Sequence, residues 1–352
     1  MKSVFETLKG LNKEEIEEYL KKHGSVVVEN NHHFLTVEHF YPNICKKIKL
    51  IESSENNGAD FKLIDDKFFY LKYLLPSTKN IGYHLSIDYD QKDIYEHSTY
   101  DKFCRNNLKF KSGNFQLITS YLLPFKKMTR TRMFFLRKKI KAGKKNFYEY
   151  FVALPKNFDK NKKYDCLITA DGILWMRFLR LDDLIQNELK LNMIVVGILQ
   201  KDQNKELAYN MYFAEFIVNT FSKKLKEEYK IKDMIFFGNS FGALCGLNVA
   251  CFSKNPFKYI ICQSPSFYLD KKENYGRNFQ QYITLPLYGN IIISYGNCEQ
   301  NEIMQKPISN FKKKVKYKKL SFHTFSGGHD YLSWRDDLKE TLKKIYNTKK
   351  EK

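Results

Sequence analysis

The hydrophobic pattern changes period twice along the chain. Between Asn12 and Gly24 apolar residues recur at helical spacing among charged ones. Asn12 is placed to cap, acids fill the first turns, Lys21 and Lys22 the last, and Gly24 the stop, so a short helix is expected there. From Val26 to about Pro124 the period falls to two. Short β-prone runs at 26–28, 34–40, 44–51, 68–75, 83–89 and 115–122 are separated by turn formers such as Asn30-Asn31, Asn56-Asn57-Gly58 and Pro76-Ser77. Strands with no helices between them predict a small antiparallel sandwich.

Past residue 125 strand and helix alternate. A hairpin over 133–140 and 147–154, turning at Ala142-Gly143, is followed by strand runs at 166–170, 193–199, 234–237, 259–263, 291–295 and 318–324. Helical patterns at 178–189, 207–229, 243–252 and 334–346 lie among them. The central runs are apolar throughout, as a parallel sheet covered on both faces requires. The expected organisation is therefore a β-rich, sandwich-like domain over 1–125 with a short leading helix, then an α/β domain over 126–352 with a mostly parallel sheet. In such sheets the loops at the C-terminal ends of the strands carry the site.

Composition changes this picture little. The 352 residues are 43% hydrophobic, a globular composition with ample core. Lys and Arg number 60 against 39 Asp and Glu, so the chain carries +21 and attracts anions. On charge alone nucleic acid, an anionic membrane surface and an acidic small substrate all fit. The lysines are scattered, however, and the most basic stretch, 126–145, fits a solvated hairpin better than an anion-binding arm. A binding module for nucleic acid or an acidic partner would show a recognition helix or a basic motif interleaved with aromatics. None stands out, so no nucleic-acid partner is expected. No apolar run approaches membrane-spanning length, so no membrane partner is expected either.

The seven cysteines are odd in number, form no C-x-x-C pair and lie largely in apolar runs, which points to a reducing compartment. With no secretory h-region at the start, a cytoplasmic location is expected. His32, His33 and His39 fit surface or half-buried residues beside a strand better than metal ligands. No metal and no cofactor is expected.

The chemistry lies at three strand ends. An apolar strand runs into Gly238-Asn239-Ser240-Phe241-Gly242, and a helix of small residues follows. This is the Gly-x-Ser-x-Gly elbow in its strand–turn–helix context, with Ser240 as candidate nucleophile. Its two glycines are expected because a Cβ at either would collide with the neighbouring strand and helix. After the last strand comes Ser326-Gly327-Gly328-His329-Asp330, with His329 the candidate general base and acid. A Ser-x-x-Asp cap, Ser333 to Asp336, is expected to open the closing helix. The loop after the preceding strand offers Glu299 first and Glu302 second as the acid that orients His329. Asp330 is expected to serve its own loop, and a Ser–His pair without an acid stays open. The oxyanion hole needs two backbone N–H donors. Phe241 supplies one, and Gly172 or Ile173, after the first parallel strand, the other.

Several motifs together resemble the enterochelin (ferric enterobactin) esterases of the α/β-hydrolase superfamily. They are Thr169-Ala170-Asp171-Gly172, Glu206-Leu207 with Asn210, Gly238-Asn239-Ser240-Phe241-Gly242, and Gly327-Gly328-His329-Asp330-Tyr331-Leu332-Ser333-Trp334-Arg335. The segment 71–85 is similar to part of that family's N-terminal sandwich domain. The resemblance implies an α/β-hydrolase fold and a cytoplasmic serine esterase that cuts the trilactone of a ferric catecholate siderophore so that iron is released. A small-molecule ester is thus the expected partner, and the anionic ferric complex would suit the basic surface. Trp334, Arg335 and Lys205 become candidate contacts to an aromatic, anionic substrate. Gln203 stands where the family places an Arg three residues before the Glu-Leu pair. Relatives with the same elbow hydrolyse other esters or transfer acyl groups, so a general carboxylesterase or acyltransferase is the alternative.

Overall fold

Asn12 opens its helix as its position predicts. Its side chain accepts the Glu15 N–H at 2.9 Å while the Glu15 carboxylate accepts the Asn12 N–H at 2.8 Å, and helix Lys13–His23 follows. A shorter helix, Val4–Lys9, precedes it, capped by Ser3. The computed structural model describes residues 3–30, 34–45, 47–52, 59–76, 82–88, 95–99, 102–104, 107–112, 115–121, 135–142, 146–208, 210–252, 254, 256–267 and 281–347. The expected turns at Asn56-Asn57-Gly58 and Ala142-Gly143, and His32 and His33, fall wholly or partly outside them.

The period-two region forms two antiparallel sheets. One orders Val26–Asn30, Phe34–Pro42, Phe68–Pro76 and Lys62–Ile64. The other orders Ala59–Asp60, Lys47–Glu52, Gly82–Asp88, Phe115–Tyr121 and Asn107–Ser112, with Tyr95–Thr99 also paired to Gly82–Asp88. Leu35 and Val37 from the first, Ile48, Leu50 and Leu85 from the second, and Leu8, Ile16 and Leu20 from the helices share one core. His39 is not half-exposed as expected but 1% exposed, with Nε2 against the Tyr73 hydroxyl at 2.9 Å. Desolvation lowers its pKa to about 3, so the imidazole is neutral and belongs to the core.

The alternating region builds one eight-stranded sheet. Its strands are β1 Leu136–Ala142, β2 Asn146–Ala153, β3 Tyr164–Thr169, β4 Met193–Leu199, β5 Ile231–Asn239, β6 Phe257–Gln263, β7 Asn290–Gly296 and β8 Leu320–Phe325. Their spatial order is β1-β2-β4-β3-β5-β6-β7-β8. The hairpin β1–β2 joins antiparallel to β4, and from β4 through β3, β5 and β6 to β7 the strands are parallel. Every residue of β4 is buried, which is what cover on both faces demands. This is the α/β-hydrolase arrangement, and in sequence the antiparallel sheets precede it.

Two expected helices are interrupted. Over 178–189, a segment Ile173–Phe178 ends at Leu179, and Arg180 turns left-handed at φ 50°, ψ 58° before Leu181–Asp183 and Leu184–Glu188 resume. Its guanidinium meets the Asp182 carboxylate at 3.1 Å. Over 207–229, Gln203–Leu207 stops, and Asn210 caps a new start by accepting the Phe213 N–H at 3.0 Å. Met211–Glu215, Phe216–Phe221 and Ser222–Glu228 then run on to β5. In the second case a strong N-cap side chain prevails over a continuous apolar period. Among the described residues, no helix is long and apolar enough to cross a membrane.

By its contacts the chain divides into two units. The first takes in Met1–Lys127 with Gly296–Gln300 and Ser326–Ser333, and the second takes in Met128–Tyr295, Asn301–Phe325 and Trp334–Lys352. Within the second, β5 passes through Ser240, at φ 54° and ψ −116°, into helix α1, Phe241–Ala250. A Cβ on Gly238 would lie 2.2 Å from the Gly242 carbonyl oxygen and 2.3 Å from its carbon, so no side chain fits there. The matching expectation for Gly242 is wrong, because a Cβ there meets nothing within 4 Å.

The two glycines should therefore behave differently in denaturant unfolding. Gly238→Ala should cost at least about 1–3 kcal/mol through overpacking. Gly242→Ala, at a helical position, should change stability by less than about 1 kcal/mol. Equal losses would contradict this geometry.

Candidate active site

Ser240 combines a backbone that side chains rarely adopt with a half-buried hydroxyl. Its N–H donates to the Gln263 carbonyl at 2.9 Å, continuing the β5–β6 pairing past the last strand residue. Its carbonyl accepts the Ala243 N–H at 3.1 Å and so starts α1. The Oγ lies 2.8 Å from Ser266 Oγ. Ser266 is fully buried and escaped the sequence reading, although Gln263-Ser264-Pro265-Ser266 directly follows an apolar strand beside the elbow strand. Asn239, within the elbow, is occupied structurally: its Oδ1 accepts the Trp175 indole N–H at 2.7 Å.

Phe241 is the first residue of α1, where a backbone N–H has no acceptor within the helix. Gly172 follows β3 and precedes Ile173–Phe178. A Cβ on Gly172 would fall 2.6 Å from both the carbon and the oxygen of Gly197 in β4. Close packing of this turn on β4 therefore requires glycine at 172, whatever its N–H does.

His329 sits in a loop tied to the loop after β7. Gly327 donates its N–H to Asn297 Oδ1 at 3.0 Å, and the Cys298 N–H donates to the Gly327 carbonyl at 2.9 Å. Gly327 adopts φ 152°, open to glycine. Across these two loops His329 Nδ1 faces Glu299 Oε2 at 3.5 Å. The Glu299 side chain is fully buried and that of His329 is 25% exposed, so the imidazole is partly accessible while the acid is not. Glu299 is held by its own loop: its Oε1 accepts the Gly296 N–H at 2.8 Å. Glu302, the second choice, is 70% exposed and pairs with Lys306. Asp330 serves its own loop, accepting the Leu332 and Ser333 N–H groups, each at 3.1 Å, and the Ser333 hydroxyl at 2.8 Å. It thereby caps the closing helix α2, Tyr331–Asn347, which corrects the expected Ser333–Asp336 cap. Ser240 belongs to the second unit, and Glu299 and His329 to the first.

The expected substrate contacts at the start of α2 are engaged elsewhere. Trp334 is 3% exposed, and its indole N–H donates to Ser264 Oγ at 2.9 Å. Arg335 is 7% exposed, donating to the Leu179 carbonyl at 2.8 Å and to Glu188 at 2.6 Å. Both are structural here. Lys205 is exposed and pairs with Asp202 at 3.2 Å. Sequence reasoning also passed over Asp337, a 5%-exposed carboxylate in α2 that meets Gln263, Ser294 and His323. Its signal was faint, a single acid on the inner face of an amphipathic helix. Among the described residues no cluster of potential metal ligands occurs.

The fold of this chain is shared with solved esterase structures. The chain resembles the enterobactin esterase FES from Shigella flexneri, crystallised with 2,3-di-hydroxy-N-benzoyl-serine (TM-score 0.72, 14% identity, 94% of this chain and 98% of that one). It likewise resembles the ferric enterobactin esterase from Salmonella typhimurium (TM-score 0.72, 13% identity, 93% and 97%). At such identities the likeness establishes the fold. No curated protein matches the chain in sequence. The model of the Esterase family, described as "Putative esterase", matches residues 145–345, more than half of the chain. The chain belongs to the Esterase family, as a serine hydrolase of carboxylic esters with the α/β-hydrolase fold.

Proposed function

We propose that Ser240, His329 and Glu299 form the catalytic triad of this esterase and that its substrate is the trilactone of a ferric catecholate siderophore such as enterobactin. In this reading His329 Nε2 takes the Ser240 hydroxyl proton as Oγ attacks the ester carbonyl. The backbone N–H groups of Phe241 and of Gly172 receive the oxyanion. Collapse of the tetrahedral intermediate breaks the ester C–O bond, and His329 returns the proton to the departing alkoxide. Water then repeats the sequence on the acyl-enzyme. Glu299 accepts from Nδ1–H, which keeps Nε2 free to accept the proton. Catalysis is assigned to a domain over 126–352, with 1–125 a separate β-rich domain.

The observation that carries this reading is the elbow, a serine held at φ 54° between a strand and a helix start. Two further features support it: the three residues follow β5, β7 and β8 in the order Ser, acid, His, and Glu299 contacts the imidazole. The siderophore is supported by fold similarity to enterobactin esterases along most of the chain. The +21 charge, which favours an anionic ferric complex, also supports it. A cytoplasmic setting, where iron would be released, fits the buried thiols Cys166, Cys245 and Cys262 in the apolar core.

Ser240→Ala and His329→Ala should each lower kcat for ester hydrolysis by about 10⁴-fold or more, with thermal unfolding unchanged. Glu299→Gln should lower it by about 10²–10⁴-fold. Near-wild-type turnover by either of the first two would refute the triad. Incubation with ferric and iron-free enterobactin, followed by product analysis, should yield linear and then monomeric dihydroxybenzoyl-serine. Cleavage of short-chain nitrophenyl esters with the trilactone left intact would instead identify a general carboxylesterase or acyltransferase.

A further inference from the structure

We propose that Asp337 is a positioning residue for the nucleophile, a buried carboxylate that sets the loop on which Ser240 rests; this depends on Ser240 being the nucleophile. Asp337 lies on α2 and collects donors from three adjacent strands. Its Oδ2 accepts Gln263 Nε2 from β6 at 2.8 Å and Ser294 Oγ from β7 at 2.6 Å. Its Oδ1 meets His323 Nε2 from β8 at 2.6 Å. Its side chain is 2% exposed, and a polar group so placed is tolerated only because these partners replace its hydration.

Both Oδ2 donors lead to the elbow. Gln263 donates through the same Nε2 to the Trp334 carbonyl at 2.8 Å, and its backbone carbonyl accepts the Ser240 N–H at 2.9 Å. The amide cannot turn over, because that would set its oxygen against the Asp337 carboxylate. Ser294 accepts the Ser264 N–H on its carbonyl at 2.7 Å. Ser264 itself is left-handed at φ 49°, and its Oγ is fixed by the Trp334 indole at 2.9 Å. Two residues on, Ser266 Oγ touches Ser240 Oγ at 2.8 Å. One carboxylate thus holds Gln263 and Ser294, these hold the 263–266 segment, and from it the Gln263 carbonyl takes the Ser240 N–H while the Ser266 hydroxyl meets that of Ser240. Hydroxyl placement governs attack steeply, since a displacement of roughly 1 Å can cost about 10²-fold in rate. Substrate affinity, in contrast, does not pass through this network.

The test compares full-length wild type with Asp337→Ala, Asp337→Asn and Ser294→Ala. Two rates are read: steady-state p-nitrophenyl butyrate hydrolysis, and modification of Ser240 by a fluorophosphonate, located by peptide mass spectrometry. Asp337→Ala should slow both kcat and Ser240 modification by about 10- to 100-fold with KM changed less than about 3-fold. Asp337→Asn should recover part of that loss. Its amide NH₂ can face His323, which accepts in its other tautomer, while its oxygen keeps Gln263 and Ser294. Ser294→Ala, which removes one bond and preserves the carboxylate, should slow modification by about 2- to 10-fold and decides the matter should Asp337→Ala not fold. Folded Asp337→Ala or Ser294→Ala modified at the wild-type rate would overturn the proposal and leave the nucleophile assignment standing. Wild-type protein left unmodified at Ser240 would overturn both.

Discussion

A left-handed serine between a strand and a helix is the constraint on which the rest of the eight-stranded sheet depends. Conformations such as φ 54°, ψ −116° cost of order 1–3 kcal/mol and persist only where their surroundings overdetermine them. Here the surroundings are specific. Gly238 has no room for a Cβ against Gly242, which brings the start of α1 onto the end of β5. The Ser240 N–H is taken by Gln263, so the turn is closed from the β6 side as well. Further along α1, a Cβ on Gly246 would approach Cys262 Sγ to 3.0 Å, so the small residues of this helix follow from its close seat on the sheet. The buried Cys245 and Cys262 thiols, whose pKa values burial raises, act there as small apolar side chains.

The closing helix supplies the second half of this support. Its amphipathic pattern predicts a surface helix with an aromatic and an arginine at its start, and a reader of substrates would assign both to ligand contact. In the fold they face inward. Trp334 locks Ser264, and Arg335 ties the Leu179 carbonyl and Glu188. Burial alone would raise the Glu188 carboxyl, yet hydrogen bonds from Arg335 and Lys339 hold it below the ordinary carboxylate range. Asp337, one turn from Trp334, continues the same inward face. Polar side chains in α2 therefore serve the geometry of strand ends in the sheet.

The Glu299–His329 contact rests on another principle, loop tied to loop. Backbone bonds between Cys298 and Gly327, and the side chain of Asn297 on the Gly327 N–H, hold the two loops together before either catalytic candidate is considered. Glu299 is then anchored by the Gly296 N–H and presents its other oxygen to the imidazole. A carboxyl group anchored this way is oriented by the backbone of its own loop.

Much of this was written locally in the chain. The order of strands and helices, the elbow at Ser240, the glycine requirement at 238 and the succession of serine, acid and histidine follow from periodicity, turn chemistry and spacing over a few residues. Chain order alone did not bring Glu299 rather than Glu302 against His329, break the helical pattern at Arg180, place His39 in a core or turn Trp334 and Arg335 inward. Nor did it reveal Asp337, whose donors stand 74, 43 and 14 residues away along the chain. Backbone preference is set by near neighbours and is legible residue by residue. The partner of a side chain is set by whatever the packed sheet and its crossovers bring beside it, and that is decided only once the whole domain has closed.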